Sequence, residues 1–307
     1  MIPTSNLYQK NAIAAMHVAT SFLGKQPGDK ADTIAQLSER LEMGRGTIQK
    51  AIKMLEDADA IRLESRGHLG TYICAMDYAK LVRFTGIKSI VGTMPLPYSL
   101  RYEGLATGIY QALNQTDMNV TLAFMSGSNR RVAALLDGRY DFCILSLQSA
   151  QYYLQQHKSL ELAFQLSPFS YVGEHRLIVR KDFSGLFDGM RIGVDRMSFD
   201  QMDMTGKYFK NVNIEVVPLS YGHILDNLKG RLIDGTIWSY EPNIADDHDL
   251  RGIKIFDDDT YLQNTIAAVL IHRDRQGVKN FLQRFFDVRQ VESIQQSVLR
   301  KEITPAY

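Results

Sequence analysis

Arg45, Gln49 and Lys53 recur four residues apart, with Thr47 and Lys50 between them. In a helix this spacing places three side chains one turn apart along a single face. Arg and Gln can each make paired hydrogen bonds to purine edges, and Lys neutralises phosphate. The set therefore suits the reading of a duplex. Arg45 and Gln49 are the candidates for base contacts, and Thr47, Lys50 and Lys53 for phosphates. Arg66, in the run 65–70 between two short apolar segments, is a further phosphate candidate. A polar-basic helix face also has two other readings, a merely solvated surface and a protein-docking surface.

The flanking pattern says what must hold these residues in place. Ile48, Ala51, Ile52 and Leu55 fall at i, i+3, i+4 and i+7, which turns the opposite side of the same helix toward a core. Before it, Ile34, Leu37 and Leu41 form one buried stripe of a first helix, capped by Asp32 or Thr33. Glu42, Met43 and Gly44 make the turn between the two. Residues 61–64 and 71–73 alternate as strands around a tip carrying Arg66 and His68. The layout is a winged helix-turn-helix, whose second helix enters a major groove. Glu56, Asp57, Asp59 and Glu64 offset much of the local basic charge. Affinity must then lean on few contacts and on dimerisation. Upstream, residues 7–23 read as an amphipathic helix with Ala12, Ala15, Met16, Ala19 and Leu23 inward. Residues 77–86 read as a connector containing a short helix.

Residues 33–73 resemble the DNA-binding domain of GntR-type bacterial regulators. The resemblance rests on Arg45-Gly46-Thr47-Ile48, on Ala51, Ile52, Leu55, Glu56 and Ile61, on the wing run 67–73, and on the earlier Pro27-Gly28-Asp29-Lys30. Three positions depart from that pattern. Gly44 replaces a capping Ser, Glu42 stands where the turn commonly has Gly, and Asp59 replaces the Gly after the recognition helix. Over its whole length the chain resembles the YhfZ type of regulator, which carries this head on an unusual effector domain.

With 307 residues, 45% hydrophobic and 22% charged, the chain has material for two or three packed units, and its net charge of +1 argues against a general polyanion binder. From about residue 87, strands alternate with helices in two similar sets, implying βαβ units around mostly parallel sheets. The phrases Ala134-Leu135-Leu136-Asp137-Gly138-Arg139-Tyr140-Asp141 and Leu228-Lys229-Gly230-Arg231-Leu232-Ile233-Asp234 are near-equivalents, each a helix ending at Gly, a turn to Asp, then a buried strand. Residues 87–300 accordingly resemble the type 2 periplasmic-binding-protein fold used by effector domains of LysR-type regulators. The resemblance implies lobe crossings near 168–180 and 262–272. The expected organisation is multidomain: 1–76 a winged helix-turn-helix DNA-binding domain (mostly α), 77–86 a connector, and 87–307 a two-lobed α/β effector-binding domain.

Open α/β sheets take ligands beyond the carboxyl ends of their strands. On this chain those loops contain Tyr98 and Ser99, then Ser126, Gly127, Ser128 and Asn129, then Ser146. In the second set they contain Asp195 and Ser198, Tyr221, and Trp238 and Glu241. The hydroxyls and free amides of 126–129 suit a carboxylate or phosphate, and Glu241 or Asp195 an amine. Ordinary turn chemistry is the competing explanation for Ser and Gly after a strand.

No HExxH, Walker loop, GxSxG or GxGxxG motif opens a helix after a strand. No catalytic residue, cofactor or metal is predicted. The acidic runs 246–249 and 257–259 lack calcium-loop spacing and read as solvated loops. Cys143, within a buried-strand pattern, reads as a small core residue. No stretch has signal-peptide or transmembrane character. The sequence thus predicts a cytoplasmic, homodimeric transcriptional regulator without a membrane partner. Its partners would be a double-stranded DNA operator and a small polar, anionic metabolite. The alternatives are a ligand-binding or protein-docking module without sequence-specific DNA binding, and an enzyme on a periplasmic-binding-protein fold.

Overall fold

The computed structural model describes residues 10–114, 118–241, 247–256 and 259–307, without the side chains of Tyr221, Asp259 and Thr260. Helix α1 (Lys10–Leu23) is followed by α2 (Ile34–Arg40) and α3 (Arg45–Asp57). Thr33, rather than Asp32, caps α2: its hydroxyl accepts from Gln36 N–H at 3.2 Å, and the Gln36 side chain returns the bond to Thr33 N–H at 2.9 Å. Asp32 instead pairs with Lys25 at 3.0 Å and Arg40 at 2.6 Å, and these partners hold its carboxyl below the ordinary value against the opposing effect of burial. The turn before α3 puts Glu42 at φ 51°, and the turn after it puts Asp59 at φ 53°. Both positions departing from glycine therefore do need left-handed backbone.

Strands β1 (Ile61–Ser65) and β2 (Thr71–Met76) pair antiparallel around a single 3-10 turn at Gly67–Leu69, which completes the wing. Helix α4 (Tyr78–Phe84) follows, capped by Asp77.

Beyond it lie two five-stranded sheets. The first contains β3 (Ser89–Met94), β4 (Asn119–Phe124), β5 (Phe142–Ser146), β6 (Leu160–Gln165) and a late strand, β12 (Ala267–His272), in the order β4-β3-β5-β12-β6. Helices α5 (Leu100–Leu113), α6 (Ser128–Leu136) and α7 (Leu147–Gln156) connect them. The second contains β7 (His175–Arg180), β8 (Met190–Val194), β9 (Ile214–Pro218), β10 (Gly235–Ser239) and β11 (Leu250–Lys254), ordered β11-β7-β10-β8-β9, with α8 (Phe199–Tyr208) and α9 (Ile224–Lys229). The chain passes between sheets in residues 166–174 and returns in residues 255–266. The sheets are mixed, not mostly parallel: β7 and β12 run antiparallel to their neighbours. Both are strands that enter a sheet directly from the other lobe, without a crossover helix to reverse them.

The equivalent phrases do the same work in each lobe. Asp141 accepts from Val91 N–H at 2.9 Å and returns a bond to Val91 O; Asp234 does the same with Arg191 at 3.0 Å. Asp141 thus locks the start of β5 to β3, and Asp234 locks the start of β10 to β8. The left-handed residue ending the helix is Gly138 (φ 70°) in one lobe and Arg231 (φ 62°) in the other, not Gly230. The six-to-one bonds Arg139 N–H to Ala134 O and Leu232 N–H to Asn227 O define this shifted equivalence.

Residues 278–299 form two helices, α10 (Gln276–Phe285) and α11 (Val288–Leu299). The chain divides into two compact units between them. The segments Leu113–Val120 and Asp274–Asp287 belong with the N-terminal head, and the remaining chain after Ile90 forms the other unit. Within the head, Asn280 donates to Thr20 O at 2.6 Å and Phe285 meets Tyr78 edge-on. Helix α1 thus packs against α3, α4 and α10. Its buried face is broader than one stripe, taking in Ala14, Val18 and Phe22, while Ala12 and Met16 are only half-buried.

Candidate functional site

Helix α3 presents two opposite faces. Ile48, Ala51 and Leu55 are fully buried, whereas Arg45, Gln49, Lys50 and Lys53 are exposed and Thr47 is half-exposed. Gly44 sits at the N-cap with no side-chain hydrogen bond. The first amides of α3 are thus not closed off by a cap and add positive potential beside Arg45. Arg66 is exposed on the wing, but its guanidinium is committed locally. It pairs with Glu64 at 3.3 Å and stacks over the Tyr72 ring at 4.7 Å. It must leave the weak exposed pair to reach a phosphate.

The second unit has a cleft between its lobes, enclosing a cavity of ≈ 50 Å³. Tyr98, Ser126, Gly127, Ser128, Asp195 and Ser198 line it. The other predicted ligand residues lie elsewhere. Ser99 starts α5, accepting from Tyr102 N–H at 3.3 Å. Asn129 is exposed, and only its backbone N–H crosses the cleft, to Met197 O at 3.1 Å. Ser146 is fully buried as the cap of α7. Trp238 is buried in the second lobe's core, 6.2 Å from the Tyr98 ring. Glu241 faces Arg101 at 3.5 Å and accepts from Ser239. The Tyr221 side chain lies outside the described residues.

Two charged residues that sequence reasoning missed dominate the cleft. Arg131, 3% exposed, donates to Ile144 O at 3.1 Å, Met125 O at 2.7 Å and the Tyr171 hydroxyl at 3.1 Å. Its partners are all neutral, and no described carboxylate pairs with it. Asp200, 8% exposed, reaches from α8 to the N-terminus of α7, where Ser149 donates to it at 2.9 Å. Burial pushes its carboxyl up to about 6, against the opposing effects of the Ser146 and Ser149 hydroxyls and Arg131. His175 also lines the cavity, and loss of solvent pushes its imidazole down to about 4, so it is neutral at pH 7. Gln201 braces the second lobe's loop. It accepts from Asp195 N–H at 2.7 Å and donates to Ile237 O at 2.9 Å. A signal for Arg131 was present: it falls three and four residues before Ala134 and Leu135, on the inward face of its helix.

The lobes touch directly. Ser128 accepts from Phe199 N–H at 3.1 Å, Gln148 donates to Asp203 at 2.7 Å, and Tyr152 stacks on Phe199 at 4.1 Å. Gly127 allows this approach. It has φ 80°, and a Cβ there would lie 2.4 Å from Met197 Cβ.

Among the described residues no group of three His, Cys, Asp or Glu side chains converges. Asp247 pairs instead with Lys229 at 2.6 Å; residues 246, 257 and 258 lie outside the described residues. Burial pushes the Cys143 thiol up to about 12. No helix among the described residues is long and apolar enough to cross a membrane.

With this geometry in hand, the likenesses to known proteins are specific. The family described as the YhfZ C-terminal domain matches residues 77–307, and a helix-turn-helix domain matches residues 26–73. The uncharacterized protein YhfZ of Escherichia coli K12 is 35% identical over 304 residues, covering 97% of this chain and 98% of its own. The crystal structure of YhfZ from Shigella flexneri superimposes with a TM-score of 0.62 at 35% identity, covering 75% of this chain and 97% of that one. The alkanesulfonate-binding protein SsuA of Xanthomonas axonopodis pv. citri, solved bound to MOPS, superimposes with a TM-score of 0.53 at 13% identity, over 70% of this chain and 75% of that one. That last likeness establishes a periplasmic-binding-protein-like fold for the two-lobed region.

Proposed function

The chain belongs to the YhfZ family, and from that premise we propose that it is a cytoplasmic, homodimeric transcriptional regulator whose operator affinity is set by a small polar metabolite bound between its lobes. A helix-turn-helix domain joined to a domain of binding-protein-like fold supports a regulator. The observation that carries the DNA-binding half is the division of α3, with Ile48, Ala51 and Leu55 fully buried, Ile52 half-buried, and Arg45, Gln49, Lys50 and Lys53 all exposed. Arg45 and Gln49 read bases. Thr47, Lys50, Lys53 and Arg66 hold phosphates.

Arg131 supports the metabolite half. The guanidinium is buried and its hydrogen bonds go to neutral acceptors; Asp200 on the same lining feels its charge without bonding to it, which leaves the guanidinium open to a direct pair with an anionic group entering the cleft. Ser126 and Ser128 stand on the same lining, and Asp195 offers a carboxylate to an amine. Lobe closure around this ligand alters the spacing of two DNA heads, and with it the affinity for paired half-sites.

Selection of full-length protein against a random duplex pool tests the reading. Enrichment of a two-fold-related sequence supports it. Failure to enrich any sequence, with or without cell metabolites present, makes the head a docking module and sinks the proposal.

A further inference from the structure

The two segments that cross between the lobes enclose a second cavity, of ≈ 220 Å³, larger than the one in the cleft. Phe169 lines it from the first crossing, His175 from the start of β7, Phe256, Tyr261 and Leu262 from the second crossing, and Met204 from α8. Its chemistry is opposite to that of the cleft. Phe256 and Tyr261 stack with centroids 4.1 Å apart and planes at 27°, forming a flat aromatic wall beside the second lobe's core. Lys254 lines it as well as His175, and two further polar residues there are already engaged. Glu174 accepts from Arg176 at 3.0 and 2.8 Å, and Thr265 donates to Leu262 O at 2.7 Å. A guest is therefore recognised through apolar contact.

Phe169 is the second observation. The residue is 51% exposed, and its backbone has φ 66°. Left-handed backbone is unfavourable for an aromatic residue, and such outliers persist only where surrounding structure imposes them. Here Phe169 N–H donates to Thr265 Oγ1 at 3.1 Å, and Arg101 donates to Phe169 O. Glycine would make this turn without strain, and a half-exposed residue gains little from folding alone. The strained position instead sets an aromatic side chain on the cavity lining.

We infer that the crossing cavity is a binding site for a small uncharged aromatic molecule of one or two fused rings. An apolar cavity of about 150 Å³ already holds benzene. Because both crossings line the site, an occupant favours one lobe angle. By linkage, it changes affinity in the cleft by the same factor that cleft occupancy changes its own. His175 lines both cavities and stands between them. The existence of the site does not rest on the DNA-binding reading of the head.

Isothermal titration of the full chain with indole tests this. The expected result is saturable one-site binding with Kd on the order of 0.1 mM, from the contact a nine-atom apolar ligand provides. Phe169→Gly keeps the left-handed turn and removes the ring, and weakens binding by about tenfold. Tyr98→Ala, at the cleft, leaves it unchanged. Absence of binding up to millimolar indole, equal affinity for Phe169→Gly, or loss in Tyr98→Ala alone would each overturn the site.

Discussion

Arg45 and Arg131 both stand within a turn of a helix N-terminus, yet their surroundings are opposite. Arg45 is exposed on α3. Arg131 is 3% exposed in α6, with three neutral acceptors on its guanidinium. The first can be lost without disturbing its own domain, because solvent replaces it. The second holds together Met125 after β4, Ile144 of β5 and Tyr171 of a lobe crossing. One region keeps its charge available by exposure. The other keeps it by burial, with no described carboxylate bonded to the guanidinium directly. In the proposed function, that difference separates a surface for a large polyanion from a closed site for a small ligand.

The largest effect expected is on stability. Arg131→Ala leaves two carbonyls and a hydroxyl without their donor and should cost about 3–5 kcal/mol. Arg45→Ala should stay within about 0.5 kcal/mol of the native chain. Urea unfolding of both variants measures the contrast, and equal midpoints would remove it.

Asp200 sharpens the account by pH. Its raised pKa means that the folded chain holds this proton more tightly than the unfolded chain. Its contribution to stability is full below the unfolded value, near 3.8, and is lost as pH rises to about 6. Asp200→Asn removes that loss. The variant should be more stable than the native chain by about 2–3 kcal/mol at pH 7.5, with the difference vanishing near pH 4. Thermal melts across this range check it, and a pH-independent difference would contradict the assigned cause.

Gly127→Ala tests the approach of the lobes without touching a charge. The added Cβ meets Met197 and the backbone is left-handed, so a loss of about 1–3 kcal/mol is expected, read as an earlier urea transition. The smallest change is in the head. Glu42→Gly relieves a left-handed glutamate and should gain less than about 1 kcal/mol in the same assay.

The head was legible because its function lies on one helix. The stripe Ile48, Ala51 and Leu55 fixes which side of α3 is buried, and the exposed set follows from that. The left-handed turns at Glu42 and Asp59 were legible too, as departures from glycine. In the cleft only the strand-end loops were legible. Ser126, Gly127 and Ser128 follow a strand directly, so position in a βα unit located them. Asp200 was not, because its partners Ser146 and Ser149 are over fifty residues away and belong to the other lobe. Ser99, Ser146 and Glu241 matched the loop rule but are used locally, as a helix start, a cap and an ion-pair partner. Short polar residues after strands serve turns as readily as ligands, and only packing separates the two uses.

The most direct measurement is fluorescence anisotropy of the native chain, Arg45→Ala and Lys50→Ala on an enriched duplex and its scrambled counterpart, across a salt series. The account predicts that Arg45→Ala loses about 1–3 kcal/mol on the enriched duplex and little on the scrambled one. Lys50→Ala should weaken both equally and reduce the salt slope by about one. If Arg45→Ala and Lys50→Ala weaken both duplexes alike, α3 does not read sequence and the central claim fails.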